Sequence, residues 1–187
     1  MTLARTIEVV VRLSREGVIG NYAIAGAVAA LNYIEPTFTE DLDILISVEA
    51  FENRQSGLLL LGPIEAGLAR MGYTRRSDVG YEIEGWPVQF LPVASPLDEE
   101  ALAQAVEIDL GDGITRARCL RAEHIVAIAL KVGRPKDFAR IESFLEHSAV
   151  DLRALNGVLE RHNLMASWRA WCLKAGRKDA LADERRT

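Results

Sequence analysis

Apolar positions recur at helical spacing from the start of the chain. Across residues 3–15, Ile7, Val10 and Val11 fall along one side with Ser14, which predicts an amphipathic helix. The texture then changes. "NYAIAG" (21–26) reads as a short strand halted by glycine, and "AVAALNYI" (27–34) as a helix. "EPTFTE" (35–40) reads as a loop fixed by Pro36, and "DLDILISV" (41–48) as a strand. A helix is expected near 57–71. In "YEIEGWPVQFLPV" (81–93) two alternating runs flank Gly85 and Trp86, the pattern of a hairpin with those residues in its turn. A helix around 98–105 and a strand-like stretch within 107–119 come next. The period then stays helical over 121–131, 135–147, 151–162 and 164–175. The expected fold is α+β: a mixed β-sheet with flanking helices over 1–119, then a C-terminal helical part over 120–175 packed on that core. Residues 176–187 are expected to be a flexible tail. No internal repeat or low-complexity linker divides the chain.

Composition narrows the classes. With 187 residues, 49% of them hydrophobic, the chain can bury one proper core. A formal charge of −5 weighs against a general nucleic-acid coat. Arg116, Arg118 and Arg121 form a local basic cluster, either a solvated strand edge or a patch for an RNA or nucleotide acceptor. Cys119 and Cys172 are isolated thiols without framework or metal spacing, so a reducing, cytoplasmic setting is expected. Arg5, Glu8 and Arg12 interrupt the apolar run that an export signal needs. The uncharged stretch from Gly17 to Ile34 approaches the length of a membrane span. Its glycines and asparagines (Gly17, Gly20, Asn21, Gly26, Asn32) suit a buried strand, turn and helix instead, so no membrane partner is expected. His124, His147 and His162 lack ligand spacing and read as surface or cap residues, and Trp168 with Trp171 as packing.

The chemistry sits in one strand. Side chains alternate along a strand, so Asp41 and Asp43 share a face opposite Leu42, Ile44 and Ile46, with Cα atoms roughly 6.5 to 7 Å apart. Two carboxylates at that spacing can converge on a hard cation. Alone, the pair reads equally as a loop cap beside a solvated edge. Gly26, at a strand-to-helix junction, either turns backbone amides toward an anion or only allows close packing. Together, turn, helix and acidic strand fit a nucleotide-plus-metal site.

In this order, Gly26-Ala27, a short helix and Asp41-Leu42-Asp43 resemble the signature of the polymerase-beta-like nucleotidyltransferase superfamily. A second stretch, "HIVAIALKVGRPKDFARI" (124–141), resembles the basic Lys-Asp segment of small stand-alone bacterial members, among them toxins of abortive-infection toxin-antitoxin systems. The resemblance implies transfer of a nucleoside monophosphate from an NTP to an acceptor hydroxyl on RNA, protein or a small molecule. It implies Mg²⁺ or Mn²⁺ held by Asp41 and Asp43, and Gly26, Ala27, Lys131, Arg134 and Lys136 at the nucleotide. Lys131 and Asp137 would complete the catalytic set with the two aspartates, and an antitoxin would be the partner of a toxin.

The chain also departs from that pattern. Where relatives carry a third carboxylate, this sequence has Gln89. If Gly85 and Trp86 form the turn, Glu82 pairs with Gln89 and could bring a carboxylate beside it, so Glu82 or Gln89 is the expected third metal ligand. Gln89 and Ala27 leave a second reading open: a nucleotide-binding or protein-interaction relative without turnover, such as one half of a toxin-antitoxin pair.

Overall fold

The computed structural model describes residues 3–35, 39–47, 61–110, 113 and 115–182. It is α+β. A six-stranded mixed sheet has the order β3-β4-β2-β1-β6-β5, and helices flank it. The strands are β1 (Tyr22–Ile24), β2 (Leu42–Ile46), β3 (Tyr81–Ile83), β4 (Trp86–Pro92), β5 (Val106–Asp109) and β6 (Arg116–Cys119). Central β2 pairs antiparallel with β1 and parallel with β4. A strand covered on both faces must be apolar nearly throughout. In β2 only Asp43 escapes full burial, while Leu42, Ile44, Leu45 and Ile46 are buried.

Cα proximity divides the chain into two units. One comprises Met1–Ala29 and Thr37–Leu120; the other comprises Ala30–Pro36 and Arg121–Thr187. In the first, α1 (Leu3–Arg15) buries Ile7, Val10 and Val11 as its periodicity requires, together with Thr6 and Leu13. The Thr6 hydroxyl donates to the Ile83 carbonyl oxygen at 3.1 Å, fixing α1 against the β3 backbone. The helix expected near 57–71 is α3 (Gly62–Arg70), with Pro63 in its first turn; residues 57–60 lie outside the described residues.

Three expectations in this unit are corrected. The helix after Gly26, α2, covers only Gly26–Ala30 and gives way to turns, because Asn32 and the approach to Pro36 do not sustain it. The helix expected at 98–105 begins earlier, as α4 (Pro96–Ala103). Ser95 is its N-cap, accepting from the Asp98 amide at 3.4 Å, and Pro96 pre-sets the first turn. The stretch at 107–119 is a pair of antiparallel strands, β5 and β6, with Glu107 opposite Arg118 and Asp109 opposite Arg116.

The second unit is built around α5 (Ala122–Val132), which packs against α6 (Pro135–Glu146), α7 (Leu152–Arg161) and α8 (Met165–Lys174). Residues 30–36 belong here as well: Tyr33 lies 6.0 Å from Phe144, centroid to centroid. Trp168 and Trp171 are buried packing residues at 5.1 Å. His147 and His162 are the C-caps of α6 and α7, whereas His124 is buried on α5, because the run from Ala122 to Val126 has no exposed side. Residues after 175 are not frayed as far as 182. The Trp168 indole N–H donates to Asp179 Oδ1 at 2.8 Å, the Leu181 amide donates to the same oxygen at 3.0 Å, and Leu181 is fully buried. Trp168→Phe removes the first bond and, because a phenyl ring is smaller than an indole, leaves a small void at this fully buried position. It is expected to cost about 1 to 2 kcal/mol in a urea melt and to speed proteolysis at residues 176–182.

Among the described residues no helix is long and apolar enough to cross a membrane. The uncharged stretch from Gly17 to Ile34 supplies β1 and α2, as its glycines and asparagines indicated.

Candidate functional site

Backbone pairing brings Gly26 and Asp43 together. The Ala25 amide donates to the Asp43 carbonyl oxygen at 2.8 Å, one rung beyond β1, so the chain turns into α2 directly beside Asp43. Gly26 has φ +61°, a left-handed conformation that residues with a Cβ adopt at a cost. A Cβ built there would lie 2.1 Å from Asp43 Oδ2. The carboxylate thus occupies the place of the side chain that Gly26 lacks. Sequence pattern alone left this glycine between an anion cradle and simple packing; the geometry gives it the specific task of admitting the Asp43 carboxylate. With five residues, α2 is too short to carry a macrodipole of consequence. Ala27 follows on its first turn, part-exposed.

Asp41 stands just before β2; carried back one residue, strand alternation would put it on the face of Asp43. The Thr39 hydroxyl lies 3.1 Å from the Asp41 carbonyl oxygen and 3.4 Å from Asp41 Oδ1, orienting the carboxylate. The sequence reading overlooked Thr39. A hydroxyl two residues before an aspartate is a local turn signal that would have found it. On the other flank Gln89 is the register partner of Asp43 in parallel β4, so their side chains share a face about 4.8 Å apart. Two carboxylates and an amide carbonyl are hard oxygen donors of the kind that suit Mg²⁺ or Mn²⁺. The residues present therefore fit such an ion.

The β3–β4 register differs from the one expected. Glu82 faces Pro87 and Ile83 faces Trp86, which puts Glu84 and Gly85 in the turn. Both have positive φ, +51° and +82°, as a type I′ turn demands. The Tyr73 hydroxyl donates to Glu84 Oε1 at 2.5 Å and holds the unusual residue in place; that bond, then burial, pushes the phenol up to about 12. Glu82 consequently does not pair with Gln89, and its carboxylate meets Arg75 Nη1 at 3.0 Å. It shares the Asp41 face but lies two strands away, roughly 10 Å. No group of three or more His, Cys, Asp or Glu suited to a metal occurs among the described residues.

The second basic segment lies in the helical unit. Lys131 is exposed in the last turn of α5, which Gly133 ends at φ +72°. Arg134 and Lys136 are exposed at the start of α6, whereas Asp137 is buried. Asp137 caps α6: Oδ2 accepts from the Arg134 backbone N–H at 3.2 Å and from Arg134 Nε at 2.7 Å. Its Oδ1 accepts from Arg134 Nη2 at 3.1 Å and lies 3.5 Å from Arg140 Nη1. Arg140, three residues on, lies on the same helix face as Asp137. Burial would raise the Asp137 carboxyl, but the hydrogen bonds and charge of Arg134, helped by Arg140, outweigh it and hold the group below its ordinary value.

The arginines near 118 are committed locally. Arg118 Nη2 donates to the carbonyl oxygens of Leu102 at 3.0 Å and Ala105 at 3.3 Å, closing the end of α4. Arg121 pairs with buried Glu123 at 3.3 Å. Both thiols are buried, and burial pushes Cys119 up to about 12.

No family model and no curated protein matches the chain. Solved structures do. The chain is similar to the antibiotic-resistance factor ANT(2'')-Ia in a solution structure, with 18% identity over 91% of this chain and 94% of that one, at a TM-score of 0.47. It is also similar to ANT(2'')-Ia in a crystal structure with adenylyl-2''-tobramycin, with 18% identity over 81% and 91%, at a TM-score of 0.45.

Proposed function

We propose that this chain is a nucleotidyltransferase, moving a nucleoside monophosphate from an NTP to an acceptor hydroxyl, with Asp41 and Asp43 holding Mg²⁺ or Mn²⁺. The observation that carries the reading is the 2.1 Å between Asp43 Oδ2 and the absent side chain of Gly26. The backbone takes a left-handed turn that favours glycine, and the Asp43 carboxylate fills the space of the missing side chain; Asp41 precedes it by two residues.

Thr39 orients Asp41, the Ala25 amide and the Gly26 turn fix Asp43, and Gln89 adds a neutral oxygen beside it. A triphosphate entering here meets two negative side chains, so it needs a cation between. Bound there, the ion supplies the charge neutralisation on which phosphoryl-type transfer depends. The protein's own work is positioning.

Thermal unfolding with each of the four NTPs tests the reading. At about 100 times its dissociation constant the right NTP should add roughly 2.7 kcal/mol, with Mg²⁺ present and not without it. The double variant Asp41→Asn/Asp43→Asn should lose that gain. An equal shift without Mg²⁺, or none with any NTP, overturns it. Gln89 favours a second reading, nucleotide binding without turnover. Incorporation of label from an α-labelled NTP into RNA, protein or small-molecule acceptors separates the two.

A further inference from the structure

We propose that the Asp41–Asp43 site takes one divalent cation rather than two, and that the amide of Gln89 sets this number. The inference rests on the nucleotide-plus-metal reading above and goes beyond it.

Extending the β3–β4 pairing by one residue places Gly80 beside Gln89, and Gln89 is the partner of Asp43, which in turn bonds Ala25 through the backbone. Read across the sheet, that row is glycine, amide, carboxylate, alanine. It holds a single negative charge. Gly80 cannot be the source of another, because a Cβ there would lie 2.3 Å from the Val88 carbonyl oxygen and 3.4 Å from the Gln89 Cα. The next row toward Asp41 begins with Glu82 opposite Pro87. Proline offers no ligand, and Glu82 is held by Arg75 at 3.0 Å on the edge strand.

Two dications about 4 Å apart repel strongly and are held together by carboxylates that bridge or flank them. Here the described residues supply two such charges. The triphosphate's oxygens, with the two carboxylates, supply the charge for one ion; a second ion sharing the same carboxylates gains from Gln89 only a neutral amide oxygen. Residue 89, with its Cα beside that of Asp43, is the place where one added charge would change the count.

The experiment counts Mn²⁺ and nucleotide bound per chain by equilibrium ultrafiltration of the full chain. It uses non-hydrolysable α,β-bridged analogues of the four NTPs, for wild type, Gln89→Glu, Gln89→Asp and Asp43→Asn. The expected result is one Mn²⁺ per bound nucleotide in wild type and two in whichever residue-89 variant keeps the wild-type melting profile. Two ions in wild type overturn the inference and leave the metal reading standing. One ion in wild type and in both folded variants also overturns it, since residue 89 then does not set the number. Nucleotide bound with no Mn²⁺, or no binding of either, sinks both readings together. Asp43→Asn should hold none.

Discussion

Gly26→Ala is expected to destabilise the protein by about 3 kcal/mol and to abolish the Mg²⁺-dependent response to NTP. About 1 to 2 kcal/mol of that comes from placing a Cβ on a left-handed backbone at φ +61°. The remainder comes from overlap with Asp43 Oδ2, 2.1 Å from the new atom. The two terms separate in a double-mutant cycle. With Asp43→Ala in the background the overlap with the carboxylate is gone, Asp43 Cβ staying 3.2 Å from the new atom, and Gly26→Ala should cost only about 1 to 2 kcal/mol, a coupling of about 1 to 2 kcal/mol in urea melts. If the two substitutions add, Asp43 does not fill the space over Gly26, and the geometric support for the site goes with it. The nucleotide response discriminates further, since a glycine needed only for packing would leave it intact at temperatures where the variant is folded.

Asp137→Ala should cost about 3 kcal/mol, measured the same way. A buried carboxylate that satisfies two arginines and caps a helix leaves both arginines and the α6 amides to be rehydrated when it is removed. Asp137→Asn retains an acceptor for the cap and should cost less. The pH dependence has a definite sign. Because the folded state holds this carboxyl below its ordinary 3.8, the contribution is complete above that value. It is lost as pH falls through the folded value, the unfolded chain taking up its proton first. Wild-type stability should therefore drop more steeply than that of Asp137→Asn on acidification below about pH 4.

Much of this was legible in the sequence, for reasons that differ by element. The four C-terminal helices announce themselves by periodicity, with Gly133 and Pro135 between α5 and α6. The apolar run around Asp41 and Asp43 marks a central strand because only a doubly covered strand tolerates so little polarity. The hairpin register was not legible. Gly85 fits equally as the first or the second turn residue, and the choice was made by Glu84, which accepts φ +51° with Tyr73 bound to its carboxylate. Tyr73 is 11 residues away in sequence, beyond any local rule. The same limit hid the partner of Gly26, since a glycine's reason lies in what approaches it. For Asp137, the basic stretch around it gives no sign of its burial or of its bonds to Arg134, which cap α6.

The excursion of residues 30–36 into the helical unit bears on how such a protein can be engineered or can evolve. Between Gly26 and Asp41 runs the thread of residues 30–36, anchored by Tyr33 against Phe144. A truncation at residue 120 would keep every strand of the sheet and still strip that thread of its anchor, leaving Ile34, now 6% exposed, without cover. Shuffling of C-terminal modules among relatives would meet the same obstacle. Residues 30–36 group with the helices, so a chimera that replaces the helical unit must also graft them.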